Sequence, residues 1–205
     1  METKGLFISL EGIDGSGKTT LKENLFKLMS DKYEVISIRE PGGTIISEKI
    51  RAILLDVRND NIADKTEALL YASARSQLVE EVIRPALNQG KIIIADRFID
   101  STTAYQGYGR GIDIQFLEDL NRLCTNGLKP DLTLLLDIDP REGERRRRNG
   151  IPDRLEKEGI EFQNRIRNGY LKLWEREPLR IKKLDGNHNI QKLVLESYTY
   201  IKNMI

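Results

Sequence analysis

The chain contains 205 residues, of which 39% are hydrophobic and 32% are charged, and its 33 basic residues nearly balance its 32 acidic ones. This length and composition predict one globular domain over residues 1–205 and exclude a disordered chain. The missing basic excess argues against binding to nucleic acid or a membrane surface, and one cysteine and one histidine argue against a disulfide framework and a zinc site. No apolar run reaches the roughly 18 residues of a transmembrane helix, and the N-terminus turns acidic too early for a signal peptide, so we expect a soluble, cytoplasmic protein.

Short apolar segments alternate with longer amphipathic segments along the chain. The predicted strands, of which the last is weak, are Leu6–Leu10, Glu34–Ile38, Lys91–Ala95, Leu132–Ile138 and Arg180–Leu184. Apolar residues at helical spacing predict helices over residues 21–28, 69–83, 116–123 and 190–201. This alternation predicts an α/β fold with a parallel sheet, in which a ligand binds beyond the carboxyl ends of the strands.

The segment after the first predicted strand has the spacing of a phosphate-binding loop. It satisfies the pattern G-x-x-x-x-G-K-[ST] with Gly12, Ile13, Asp14, Gly15, Ser16, Gly17, Lys18 and Thr19. Glycines let backbone N–H groups surround a phosphate, and the N-terminus of the next helix adds partial positive charge. We expect Lys18 to reach the β- and γ-phosphates of a bound nucleotide and the Thr19 hydroxyl to coordinate Mg²⁺. The loop alone does not separate kinases from GTPases or motor proteins.

Polar motifs follow the next two predicted strands, where a second substrate would bind. Arg39–Thr44 (Arg-Glu-Pro-Gly-Gly-Thr) follows the second strand, with Arg51 in the next helical segment, and Asp96–Phe98 (Asp-Arg-Phe) follows the third. Tyr71 and Arg75 are spaced i,i+4 in the long middle helix and share a face. The chain has no Asn-Lys-x-Asp motif with which a GTPase binds guanine, so these motifs favour a small kinase.

Taken together, these segments resemble the thymidylate kinase family in its bacterial form. The similarity rests on the phosphate-binding loop, Arg39–Thr44, Asp96–Phe98, Ala104–Gly107 (Ala-Tyr-Gln-Gly) and Asp153–Glu156, and covers about residues 6–184. It implies a P-loop NTPase fold of three layers, with helices flanking a five-stranded parallel sheet and a short helical lid at about residues 141–153. It also implies the reaction ATP + dTMP → ADP + dTDP, Mg²⁺ as cofactor, and a homodimer.

The resemblance assigns a set of residues to the dTMP site, namely Asp14, Arg39, Arg51, Tyr71, Arg75, Arg97, Thr102, Tyr105 and Gln106. Tyr71, where the family usually has phenylalanine, would stack on thymine, and Arg75 would donate to a base carbonyl. Thr102 and Gln106 would meet the remaining polar edge of the base. Tyr105 would fill the space beside C2′ and disfavour a ribose hydroxyl.

The acceptor phosphate and the sugar have their own implied partners. Arg39, Arg51 and Arg97 would hold the phosphate, and Asp14 would accept a hydrogen bond from the 3′-hydroxyl. Asp96, at the end of a predicted strand, would hold Mg²⁺ together with Thr19.

The positive charge for catalysis is expected from Lys18, Arg97 and the basic run Arg145-Arg146-Arg147-Arg148. In one form of the family an arginine directly follows the aspartate of the phosphate-binding loop, whereas this chain has Gly15 there. A lid that closes over the phosphates would supply the missing charge and exclude water. Helical spacing places Arg141, Arg145 and Arg148 on one face, but the sequence does not show which face points inward.

Other interpretations remain open at this stage. The enzyme could be a different or broader deoxynucleoside monophosphate kinase, or the chain could be a nucleotide-binding regulatory protein without turnover. Arg97 could pair with Asp96 or Asp100, Tyr71 could be core filling, and the basic run could be a solvated face. Asp137 also ends a predicted strand and is a second candidate for the magnesium carboxylate.

Overall fold

The computed structural model of the chain describes residues 5–147 and 154–205. Within these ranges a five-stranded sheet contains β1 (Leu6–Glu11), β2 (Val35–Arg39), β3 (Ile92–Asp96), β4 (Leu132–Asp137) and β5 (Ile181–Asp185). The strand order is β2-β3-β1-β4-β5, and every pair is parallel. All predicted strands are therefore confirmed to within one or two residues at each end.

The helices surround this sheet on both faces. They are α1 (Lys18–Ser30), α2 (Ile45–Leu55), α3 (Asp64–Leu78), α4 (Arg84–Asn88), α5 (Ile99–Thr102), α6 (Ile114–Thr125), α7 (Pro140–Arg147), α8 (Gly159–Arg176) and α9 (Ile190–Lys202). A π-helical turn at Val79–Ile83 joins α3 to α4, a second at Thr103–Gly109 follows α5, and a 3₁₀ turn at Glu156–Glu158 precedes α8. The segment around Arg51 is helical, as predicted, whereas the sequence did not predict α8 as a helix.

Successive residues of β1 and β3 pack into two separate cores. Ile8 of β1 faces the core formed with Leu21 and Leu25 of α1 and with α9. Phe7 faces the opposite core, which includes Leu78 at the end of α3. Because β1 and β3 are buried on both faces, they consist of almost continuous apolar residues. The three-layer architecture predicted from the resemblance is confirmed.

Two features bear on the expected location and lid. No helix in the described ranges has the length and apolar character that a membrane span requires. The predicted lid begins in helix α7. The rest of the lid, which includes Arg148 and Asp153, lies outside the described residues.

Candidate active site

The phosphate-binding loop connects the carboxyl end of β1 to the N-terminus of α1, as its motif requires. Gly12, Gly15 and Gly17 have φ values of 140°, 81° and 96°, which side chains rarely allow. Lys18 folds back over the loop and donates to the carbonyl oxygen of Ile13 at 2.8 Å. Burial, with repulsion from a neighbouring arginine, lowers the pKa of Lys18 to about 8.

A cleft of about 730 Å³ opens above the carboxyl ends of the strands. Most of the predicted site residues line it: Asp14, Gly15, Ser16, Gly17, Lys18, Thr19, Arg39, Arg51, Tyr71, Arg75, Asp96, Arg97, Thr102, Tyr105, Gln106, Arg146 and Arg147. Gly12 and Ile13 are not part of this lining, and their carbonyl oxygens instead accept hydrogen bonds from Arg97 and Lys18. Residues far apart in sequence thus meet around one cavity.

Arg97 occupies the centre of the acceptor side. Its side chain pairs with Asp14 and donates to the Tyr105 hydroxyl at 2.9 Å and the Tyr170 hydroxyl at 3.3 Å. Its φ of 74° is left-handed, which costs a non-glycine residue roughly 1–2 kcal/mol. The alternative that Arg97 pairs with Asp100 is wrong, because that carboxylate binds Arg180 through both oxygens.

The charge of Asp14 is stabilised by its surroundings. Burial raises the pKa of this carboxyl group, but Arg97 and Lys18 outweigh burial and lower the pKa to about 2. The Tyr105 hydroxyl also donates to Asp14 at 2.9 Å. Asp14 is therefore ionised at neutral pH and acts as a hydrogen-bond acceptor at the edge of the cleft.

A buried carboxyl group beneath Arg97 was not identified from the sequence. Glu11 accepts hydrogen bonds from the backbone N–H of Phe98 at 2.7 Å, from Ser101 at 2.6 Å and from Tyr170 at 2.9 Å. Burial, together with the charge of Asp100, raises the pKa of Glu11 to about 7. An acidic residue at the end of an apolar strand was a signal in the sequence, whereas nothing marked Tyr170 in α8.

The candidate magnesium ligands lie next to each other. The Thr19 hydroxyl donates to Asp96 at 2.8 Å at the mouth of the phosphate-binding loop. Oxygen donors of this kind suit Mg²⁺, which usually takes one or two protein ligands and completes its shell with water and phosphate. No cluster of three or more acidic, histidine or cysteine metal ligands occurs in the part of the chain that the structure describes. Asp137, the other candidate, instead accepts hydrogen bonds from two nitrogens of Arg167 at 2.7 and 3.1 Å.

The Arg-Glu-Pro-Gly-Gly-Thr segment forms the rim of the cleft. Arg39 and Arg51 both donate to the carbonyl oxygen of Pro41, at 3.1 and 2.8 Å. Arg39 also pairs with Glu48 at 3.0 Å and is about half exposed. Both guanidinium groups therefore present positive charge on one side of the cleft.

Arg75 makes more protein contacts than its predicted role suggests. It is 2% exposed and bonds to Glu40, Thr102, Asn121 and the carbonyl oxygen of Phe98. A guanidinium has five N–H donors, and these partners engage its three nitrogens. Donation to a base carbonyl stays a prediction and requires Arg75 to share or exchange one of these bonds.

The basic run of α7 divides into two groups. Arg146 donates to the carbonyl oxygen of Gly186 at 3.0 Å, Arg147 pairs with Glu156 at 3.1 Å, and both line the cleft. Arg145 is 64% exposed, pairs with Glu142 and does not line the cleft. The inward face is therefore the one that carries Arg146 and Arg147, not the face shared by Arg141 and Arg145.

The comparison with known proteins agrees with this geometry. A family model described as thymidylate kinase matches residues 10–196. The chain belongs to the thymidylate kinase family. It is 45% identical over 203 residues to the thymidylate kinase of Thermoanaerobacter sp. (strain X514), with 98% of this chain and 100% of the relative covered. It is 47% identical to that of Enterococcus faecalis, with 97% and 96% covered.

A solved structure of the thymidylate kinase family has the same fold. The crystal structure of thymidylate kinase from Ehrlichia chaffeensis superposes with a TM-score of 0.82 and 33% identity, covering 96% of this chain and 98% of the other. These likenesses confirm the family, the fold and the class of enzyme, a kinase that phosphorylates dTMP. The roles of individual residues stay predictions.

Proposed function

We propose that this chain transfers the terminal phosphate of ATP to dTMP through the cleft described above, with Mg²⁺ as cofactor. An oxygen of the dTMP phosphate forms a bond to the γ-phosphorus while the bond from that phosphorus to the β-phosphate oxygen breaks, giving ADP and dTDP. The observation that carries the proposal is that Lys18 and the cluster of Asp14, Arg97 and Tyr105 line one cavity.

The acceptor side binds the nucleotide through its sugar and its phosphate. Asp14, which is ionised, accepts a hydrogen bond from the 3′-hydroxyl. The Tyr105 ring, held through its hydroxyl by Asp14 and Arg97, excludes a hydroxyl at C2′. Arg97 supplies the charge for the dTMP phosphate, with Arg39 and Arg51 on the rim.

The donor side binds ATP through the loop and α7. Backbone N–H groups and Lys18 hold the phosphates. Arg146 donates to the carbonyl oxygen of Gly186, in the segment after β5 where the resemblance to related kinases places the adenine of ATP. When bound at Thr19 and Asp96, Mg²⁺ supplies positive charge that offsets the charge of the donor phosphates. Arg147 adds positive charge from the lid, because the phosphate-binding loop of this chain has no arginine.

A homodimer and a cytoplasmic location complete the proposal. Large apolar residues are exposed on three neighbouring helices: Ile46 and Ile53 on α2, Leu69 on α3, and Phe116 and Leu123 on α6. Because α3 packs against both α2 and α6, these side chains lie on adjacent helices and supply apolar surface for a second copy. Both substrates are intracellular nucleotides, which favours the cytoplasm.

A coupled assay of ADP formation against a panel of monophosphates tests the activity. We expect the highest kcat/KM with dTMP, less with dUMP, and little with UMP, CMP or AMP. Similar values for several deoxynucleotides would support the broader kinase. No turnover with any acceptor, from folded protein with Mg²⁺ present, would support the regulatory interpretation.

A further inference from the structure

The side-chain amide of Gln106 has a fixed orientation. Gln106 is 2% exposed and lines the cleft, and its Nε2 donates to Oε1 of Glu67 at 2.9 Å. Glu67 is fully buried in α3 and is not part of the cleft lining. Among the described residues, none donates a hydrogen bond to the amide oxygen of Gln106. One end of the amide is thus bound to Glu67, and the other is available to the cleft.

Glu67 can only accept hydrogen bonds. Two arginines surround it: Arg154 donates to Oε2 at 2.5 Å, and Arg110 donates to both oxygens at 3.3 and 3.2 Å. Burial raises the pKa of Glu67, but hydrogen bonds from Gln106 and Arg110 outweigh burial and leave the pKa below its usual value. An ionised carboxylate has no proton to donate, so Gln106 must turn its NH₂ group toward it.

We propose that Glu67 is a positioning residue that holds the Gln106 amide oxygen toward the base and thereby selects a base with a proton on ring nitrogen N3. This inference rests on the proposed function, in which Gln106 meets the polar edge of thymine. Glu67 itself does not touch the nucleotide.

The selection follows from the different hydrogen-bonding groups that pyrimidine bases carry at N3. Thymine and uracil carry N–H at N3, which donates to an amide oxygen, whereas N3 of cytosine is an acceptor. A flipped Gln106 could donate to cytosine, but the flip would place its oxygen against the Glu67 carboxylate. Both pairings leave two acceptors facing each other in a buried site, which costs roughly 1–3 kcal/mol, or about 5- to 150-fold in specificity.

Three variants test the proposal through the ratio of kcat/KM for dTMP to that for dCMP. Glu67→Gln keeps the shape but lets either end of the Gln106 amide face the cleft. Gln106→Leu removes the amide and shows whether it reads the base. Arg110→Gln is the matched control, because it removes one ion pair of Glu67 but leaves the carboxylate and Arg154 in place.

We expect Glu67→Gln to lower the dTMP-to-dCMP ratio by about fivefold or more, chiefly through KM for the monophosphates, and Gln106→Leu to lower it as well. Arg110→Gln should keep the ratio of the wild type.

The role of Glu67 alone is overturned if folded Glu67→Gln keeps the wild-type ratio while Gln106→Leu lowers it. If Gln106→Leu leaves the ratio unchanged, Gln106 does not read the base and both assignments fail. An equal loss in Arg110→Gln assigns the effect to the ion pair and also overturns the proposal.

A second measurement does not depend on a folded variant. In a crystal structure of the wild-type chain with dTMP, the terminal atom of Gln106 nearest N3 should be the one remote from Glu67, with the bond to Glu67 intact. A Gln106 that has left Glu67, or that contacts N3 with the atom nearest Glu67, would overturn the proposal.

Discussion

At the scale of single residues, the phosphate-binding site contains a buried positive charge, and its burial is energetically unfavourable. Lys18 is 6% exposed and shares its surroundings with Arg97, so its charged form is less stable than in water. Between pH 8 and 10.5 the unfolded chain holds this proton and the folded chain does not, so stability rises with pH across that window. Below pH 8 the full cost is present, and the lowered pKa corresponds to roughly 3 kcal/mol.

Replacing this lysine should therefore separate activity from stability. Lys18→Met should lower kcat by about 10²-fold or more, because it removes a charge directed at the transferred phosphate. In urea denaturation at pH 7, the free energy of unfolding of the same variant should exceed that of the wild type by up to about 3 kcal/mol. Lys22→Met is the control: Lys22 lies one turn further along α1 and donates to Ile38, outside the cleft. A kcat near wild type in Lys18→Met would contradict the assignment of the loop.

The buried Glu11 predicts a pH dependence of the opposite sign. Its pKa is about 7 in the folded chain and near 4.5 when unfolded, so the folded chain holds more protons between these values. Its contribution is fully present below pH 4.5 and is lost as the pH rises through 7, a change of roughly 3 kcal/mol. Glu11→Gln cannot titrate and should remove this loss. Urea unfolding of the wild type and of Glu11→Gln at pH 5 and pH 7.5 measures this loss. If the free energy of unfolding changes equally with pH in the two proteins, Glu11 does not titrate in this range.

At the scale of elements, α7 packs so closely on the phosphate-binding loop that a side chain is excluded from both. A Cβ at Gly143 would lie 2.6 Å from the carbonyl oxygen of Asp14, and a Cβ at Gly15 would overlap the carbonyl oxygen of Gly143. The position that carries an arginine in one form of the family is thus covered by the backbone of α7. The same contact brings Arg146 and Arg147 to the cleft.

Alanine substitutions along α7 test which arginine serves catalysis. Arg147→Ala should lower kcat by about 10²-fold or more with little change in KM for dTMP, because Arg147 lies near Asp14 and lowers its pKa. Arg146→Ala should chiefly raise KM for ATP through its contact with Gly186. Arg145→Ala, on the exposed face, is the matched control and should be nearly silent. A large loss of kcat in Arg145→Ala with none in Arg147→Ala would show that the opposite face of α7 points into the cleft.

At the scale of the whole molecule, three adjacent helices on one side of the sheet expose large apolar residues. Helices α2, α3 and α6 carry these residues, whereas α9 packs with α1 on the other side. Apolar side chains left in water on three adjacent helices favour association of two copies, since burial of apolar surface gains roughly 25 cal/mol per Å². We therefore predict that the dimer implied by the resemblance forms through this face.

Charges placed on this face should separate the copies. The double variant Ile53→Glu, Leu69→Glu should elute as a monomer in size-exclusion chromatography with light scattering, while circular dichroism shows a folded chain. Leu195→Glu is the control, because Leu195 is 69% exposed but lies on α9. A wild type that is monomeric, or a double variant that stays dimeric, would rule out this interface.

Local patterns allowed the sequence to determine the five strands, the phosphate-binding loop and the family. Strands such as β1 and β3 are recognisable because burial on both faces requires continuous apolar residues, and the loop because its glycines adopt backbone angles that other residues avoid. The bounds of helix α2 were not predicted from the sequence, because its apolar residues do not keep to one face. Ile45, Ile46 and Ile53 are exposed, so its pattern is not that of a core helix.

Only the tertiary structure decided how the site is assembled. Glu11, Arg97 and Tyr170 come from β1, the end of β3 and α8, and no local pattern relates residues separated by more than seventy positions in the chain. The inward face of α7 depends on the contact of Gly143 with the loop, and the orientation of Gln106 depends on Glu67 in another helix. Sequence periodicity describes one element at a time, whereas hydrogen bonds and ion pairs between elements depend on how the sheet brings their ends together.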